Sequence, residues 1–136
     1  RGNNVYGPNQ YPEKVIPKFI KQLKNGEKIT IQGNGSCVRG FLHVNDTADA
    51  FIKILEKGKI GEIYNIGCDE DMEISILDLA RKIHNLSKIK VSIEDSIEYI
   101  EDRPFNDKRY YISNEKVKKL GWSIKKDFME GLEELV

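Results

Sequence analysis

With 136 residues, 39% of them hydrophobic and 32% charged, the chain has the size and composition of one globular domain. Its 22 Lys plus Arg balance 22 Asp plus Glu, so no net field selects nucleic acid or an anionic membrane, and an anion has to be held by local geometry. No apolar run approaches the ~20 residues of a membrane span and the start has neither a signal core nor a basic leader. The expected setting is cytoplasmic, with no nucleic-acid and no membrane partner.

Arg1 to Tyr6 reads as the end of a strand stopped by Gly7-Pro8, and a start without Met leads us to expect a fragment. Val15, Ile16, Phe19, Ile20 and Leu23 recur at helical spacing, with Pro17 tolerated in the first turn and Gly26 as the stop. Ile29 to Gln32 is a short strand ended by Gly33-Asn34-Gly35, whose glycines permit positive φ, and Val38 to Val44 is expected to be another strand. Asp46 is expected to cap a helix reaching Glu56, with Asp49 in its first turn and Phe51, Ile52 and Leu55 buried. After a turn at Gly58 and Gly61, Glu62 to Gly67 is apolar in the manner of a strand inside a parallel sheet.

The next helix has a capping box in Ser75 and Asp78, a staple in Ile74 and Leu79, and one apolar face of Ile76, Leu79, Ala80, Ile83 and Leu86. Val91 to Ile100 is an interrupted strand and Tyr110 to Ile112 a short one. Ser113 is expected to cap a helix closed by Gly121-Trp122, and Asp127 a final helix containing Phe128, Leu132 and Leu135. Alternating strands and helices indicate an α/β fold. Cys37 and Cys68 lack C-x-x-C spacing and read as free thiols, and His43 and His84 carry no metal-ligand pattern, so no metal is expected.

A dinucleotide site needs closely spaced glycines at a strand-to-helix turn, where the pyrophosphate meets backbone amides. Gly33 and Gly35 are followed by Val38 where the third glycine belongs, and Gly58 and Gly61 by Tyr64. None of the six tyrosines has a Lys four residues later. The chain alone is therefore expected to retain no cofactor, to contain no catalytic residue and to be inactive.

Between two strand-like runs lies Asp102-Arg103-Pro104-Phe105-Asn106-Asp107-Lys108-Arg109, a rigid turn that presents guanidinium groups suited to a phosphate ligand. This loop, together with Asn3-Asn4-Val5-Tyr6-Gly7-Pro8-Asn9-Gln10, Pro12-Glu13-Lys14-Val15-Ile16-Pro17 and Gly33-Asn34-Gly35-Ser36-Cys37-Val38-Arg39, resembles the C-terminal half of the sugar-nucleotide 4,6-dehydratases. These are extended short-chain dehydrogenase/reductase enzymes. The resemblance implies that residues 1–136 are the C-terminal, substrate-binding part of an NAD(P)-binding Rossmann-type fold, with a small mixed α/β substrate domain. The N-terminal dinucleotide-binding half would be absent.

The resemblance also implies roles. Asn4 would lie beside the sugar phosphates, Lys14 and Val15 would touch substrate, Thr30, Ile31 and Gln32 would lie along the base, and Arg39, Arg103 and Asn106 would hold the diphosphate. Read without it, Asn4 is a plain strand end, Lys14 a solvated lysine, Arg39 a surface charge, and Arg103 a surface ion pair with Glu101 or Asp102 contributing ~0.2–1 kcal/mol. Lys18 reads as a solvated helix residue, and Gly40 stands where many relatives have Asp. The complete enzyme would use NAD, act on a nucleoside-diphospho-sugar and form a homodimer. Arg103-Pro104-Phe105-Asn106-Asp107 is similar to plant-type rhamnose synthases, which favours UDP-glucose over dTDP-glucose. Half of a 4-epimerase or decarboxylase, or a non-catalytic nucleotide-sugar module, are the alternatives.

Overall fold

The structure is a computed structural model that describes residues 1–136. In chain order the elements are β1 (Asn4–Tyr6), α1 (Val15–Lys24), β2 (Ile29–Gln32), β3 (Val38–Arg39), β4 (Phe41–His43), α2 (Val44–Lys57), β5 (Ile74–Ser75), α3 (Ile76–Ser87), β6 (Ile97–Ile100), β7 (Arg109–Tyr110), α4 (Glu115–Lys118) and α5 (Phe128–Glu133). They form three small sheets: β1 with β4, β2 with β6, and the order β5-β3-β7. Both two-stranded pairs are parallel, and β3 runs parallel to β7 but antiparallel to β5.

The helical spacing around α1 buries Ile16, Phe19, Ile20 and Leu23. These meet Leu79, Ala80 and Ile83 of α3 and the inward residues of β2, Ile29 and Ile31, in one cluster that also takes in Tyr6, Phe41, Ile97 and Leu132. Each such side chain, fully buried, contributes about 1.5–3 kcal/mol before entropy is charged against it. A smaller cluster gathers Leu42, Ala50, Ile66, Val117 and Trp122. Ser75 caps α3 by accepting from the Asp78 amide at 3.0 Å, Asp127 caps α5 by accepting from Met129 and Glu130, and Gly121 turns at φ 86°.

Several expectations are corrected. The strand foreseen from Val38 to Val44 breaks at Gly40 into β3 and β4, which join different sheets. α2 starts at Val44 and is capped by His43, whose Nδ1 accepts from the Asn45 amide at 3.3 Å. Asp46 is no cap. Its buried carboxylate accepts from the Lys125 and Lys126 amides at 3.1 and 3.0 Å, while its carbonyl accepts from the Trp122 indole at 2.9 Å. The protein-facing stripe of α2 is Asp46 and Ala50 with half-buried Ile54, so Phe51, Ile52 and Leu55 stand 62%, 51% and 87% exposed.

The strand expected at Glu62 to Gly67 is reduced to one parallel bridge, Gly2 to Ile66. Val91 to Ile100 is strand only from Ile97, because Ser92 Oγ accepts from the Asp95 amide at 3.1 Å and closes a turn. β7 is displaced to Arg109–Tyr110. α4 begins after Asn114, whose amide leaves the helix end and donates to Gly67 O at 2.9 Å and Asp69 Oδ1 at 2.7 Å; Ser113 Oγ keeps only a 3.4 Å bond from the Glu115 amide. No helix is long and apolar enough to cross a membrane, and no group of three or more His, Cys, Asp or Glu is gathered to hold a metal ion.

Candidate functional site

The turn from Asp102 to Asn106 folds on a carboxylate. Asp102 Oδ1 accepts from the Arg103 amide and from Asn106 Nδ2, both at 2.8 Å. A carboxylate only accepts, so the amide of Asn106 must face it and the Asn106 oxygen is turned outward. That oxygen accepts from Arg39 Nη2 at 3.1 Å, and Arg39 Nη1 donates to Val38 O at 2.8 Å. β3, central in its sheet, thus presents a half-buried guanidinium steadied by two neutral acceptors.

No carboxylate forms an ion pair with Arg39, Arg103, Lys14 or Lys18. All four line one cavity of about 350 Å³, in which Glu13 is the single carboxylate. Four unpaired cations around a cleft attract an anion, and the planar fork of arginine suits phosphate oxygens. Thr30 and Gln32, on the outward face of β2, add neutral donors and acceptors, while Phe19 and Phe41 add apolar wall.

The structure brings together Asn4, Lys14, Val15, Thr30, Gln32, Arg39, Arg103 and Asn106 around this cavity. Asn4 Nδ2 also donates to Gly40 O at 3.3 Å, tying β1 to the turn that separates β3 from β4. Ile31 is the exception. Strand alternation sends its side chain into the core, where it is fully buried. Lys18, read from sequence as a solvated residue, lines the cavity. It follows Lys14, the residue at the N-terminal cap of α1, by four positions, a spacing that carried the signal. Glu13 and Cys37 are further lining residues that sequence reasoning missed.

Arg109 does not reach the cleft. Its Nε donates to Glu73 at 2.7 Å and its Nη2 to Glu70 at 2.6 Å, and the guanidinium lies 5.1 Å from the Tyr111 ring centroid. These bonds raise its pKa further above its already high value. The second arginine of the loop is a clasp onto the segment before β5.

The two thiols differ. Cys37 is half-exposed beside Arg39, whereas Cys68 is buried and its thiol is pushed up to about 11, first by burial and then by the charges of Glu73 and Asp69. The Gly33-Asn34-Gly35 turn joins β2 to β3 and does not open a helix. Its geometry does not fit a dinucleotide pyrophosphate cradle.

Residues 1–67 match the family described as the NAD dependent epimerase/dehydratase family. The chain is similar to a trifunctional UDP-glucose 4,6-dehydratase/UDP-4-keto-6-deoxy-D-glucose 3,5-epimerase/UDP-4-keto-L-rhamnose-reductase of Arabidopsis thaliana, 46% identical over 97% of this chain and 19% of that protein. It is also 46% identical to the dTDP-D-glucose 4,6-dehydratase of Bos taurus, over 100% of this chain and 39% of the relative. Among solved structures, the dTDP-glucose 4,6-dehydratase of Bacillus anthracis in complex with NAD superposes with a TM-score of 0.87 at 39% identity, covering 99% of this chain and 42% of that one. The chain therefore spans less than half the length of each.

Proposed function

We propose that this chain, which belongs to the NAD dependent epimerase/dehydratase family, is the nucleotide-sugar-binding portion of a 4,6-dehydratase that forms a 4-keto-6-deoxy sugar nucleotide. The observation that carries this reading is Arg39, half-buried, unpaired with any carboxylate and held by Asn106 and Val38 O at the wall of a cleft lined by three further free cations. A diphosphate supplies the charge this arrangement lacks.

Arg39, Arg103 and Asn106 grip the diphosphate, Lys14, Lys18 and Asn4 flank it, and the outward edge of β2 at Thr30 and Gln32 lies along the base. This half supplies positioning: binding energy remote from the reacting bonds holds the hexose for chemistry carried out elsewhere in the protein. UDP-glucose is the preferred substrate, supported by the Arg103-Pro104-Phe105-Asn106-Asp107 run. The exposed apolar residues Phe51, Ile52 and Leu55 of α2 are the surface on which the dinucleotide-binding half packs.

The protein that carries this chain, supplied with UDP-glucose and NAD and followed by mass spectrometry, is expected to give a product lighter by one water. A product of unchanged mass identifies a 4-epimerase instead, and loss of carbon dioxide from a uronic acid substrate a decarboxylase. The isolated 136-residue chain is expected to bind nucleotide without turnover.

A further inference from the structure

Gln22, in the last turns of α1, grips both polar groups of Thr30. The Thr30 backbone N–H lies 3.4 Å from Gln22 Oε1, and Gln22 Nε2 lies 3.2 Å from Thr30 Oγ1. A backbone N–H can only donate, so it fixes which end of the Gln22 amide faces it. The NH₂ end must then face the hydroxyl, and Oγ1 accepts that bond. The hydroxyl keeps its own proton, which no protein acceptor takes. Because its neighbours Ile29 and Ile31 are buried in the core, strand alternation turns the Thr30 side chain to the opposite, cavity-lining face of β2.

We propose that Gln22 is a positioning residue that fixes the Thr30 hydroxyl as an outward hydrogen-bond donor, so that the base subsite selects a nucleotide presenting a ring carbonyl oxygen, as a pyrimidine-dione does. This rests on the reading that the edge of β2 lies along the base. Gln22 itself touches no ligand. Its effect passes through one rotor, and it is separate from the cations that hold the diphosphate.

The polarity of the rotor can be reversed without changing its shape. In Gln22→Glu the carboxylate accepts both from the Thr30 N–H and from the hydroxyl, which draws the proton inward and leaves an oxygen lone pair facing the base carbonyl. The added charge also repels any diphosphate, so the quantity to read is the ratio of affinities for UDP and for the base-free ribose 5-diphosphate, measured by calorimetry on the protein carrying this chain. For the parent, UDP is expected to bind more tightly. The ratio is expected to fall about 3- to 10-fold in Gln22→Glu and in Thr30→Val, the worth of one hydrogen bond, and to recover in Thr30→Ser, which restores the hydroxyl. Adding Gln22→Glu to Thr30→Val should lower it no further, since both act on one group. An unchanged ratio in Gln22→Glu with intact UDP binding overturns this inference and leaves the proposed function standing. A parent that binds neither ligand overturns both.

Discussion

Gly40 lies against the Cys68 sulfur so closely that a β-carbon at position 40 would overlap it. The backbone of Gly40 is not in the left-handed region, so the requirement for glycine is steric. No side chain has room at this point between β3 and β4. Gly40→Ala should destabilise the fold by about 1–3 kcal/mol, the usual range for overpacking. In a Cys68→Ala background the same change should cost clearly less. Urea unfolding of the four variants gives the coupling; equal costs in both backgrounds would show that Cys68 is not what Gly40 accommodates.

Arg39→Ala and Arg103→Ala, in the complete protein, should each weaken UDP-glucose binding by about 2–5 kcal/mol, because each leaves phosphate charge poorly paired. The double variant should lose less than the sum, since both arginines address one group. Arg39→Lys should recover only part, for want of the planar fork. Lys18→Ala should weaken binding too, given its place in the cavity wall. Arg109→Ala should leave affinity near that of the parent and instead lower stability, since it strands the Glu73 carboxylate, whose side chain is only 7% exposed. Calorimetry and thermal melting together separate these outcomes.

Alkylation should tell the two thiols apart. Cys37, half-exposed in the cleft, should react with iodoacetamide in the folded protein, whereas Cys68, buried and with its thiol pushed up to about 11, should not. Saturating UDP should protect Cys37. Mass spectrometry of the labelled peptides checks both statements, and undiminished labelling of Cys37 in the presence of bound UDP would place the nucleotide away from β3.

Asp69 ties the loop before β5 to α4. Partial burial works to raise its pKa, but bonds from Lys118 and Asn114 outweigh this and hold it below the ordinary carboxylate value. A carboxylate with a depressed folded pKa contributes stability above its unfolded value, ~3.9, and that contribution fades as pH falls through the folded value. Asp69→Asn should therefore be less stable than the parent at neutral pH, with the gap closing as pH drops from roughly 5 toward 2. Denaturation midpoints across that range test the sign; a gap that widens in acid would refute it.

The isolated chain should self-associate through the bare face of α2. Phe51, Ile52 and Leu55 are joined in exposure by Ile60 and Ile63, at 100% and 58%, and large apolar side chains left in water in this number favour association. Phe51→Ser with Leu55→Glu should shift sedimentation toward monomer without lowering the melting temperature. Monomeric parent protein at high concentration would remove the argument for a packing partner on this face.

Local chemistry made much of the chain legible. Ser75 and Asp127 are caps because a short polar oxygen next to free amides has one favourable use, and Gly33, Gly35 and Gly121 take positive φ where side chains resist it. The spacing of Ile16, Phe19, Ile20 and Leu23 pointed to a helix and its buried face, and the family resemblance of the runs around Lys14, Arg39 and Arg103 pointed to residues that line one cleft. What sequence could not supply is which surface meets which. Periodicity groups Phe51 with Leu55 but is silent on whether that face or the one through Asp46 and Ala50 turns inward; the amides of Lys125 and Lys126, the Trp122 indole and the small cluster around Ala50 decided it. The loop offered two arginines of equal promise; Arg103 lines the cleft and pairs with no carboxylate, while Arg109 is held by Glu70 and Glu73, carboxylates more than thirty residues away in the chain. Pairing over such distances depends on how separate elements are brought together in space, and no short stretch of sequence contains that information.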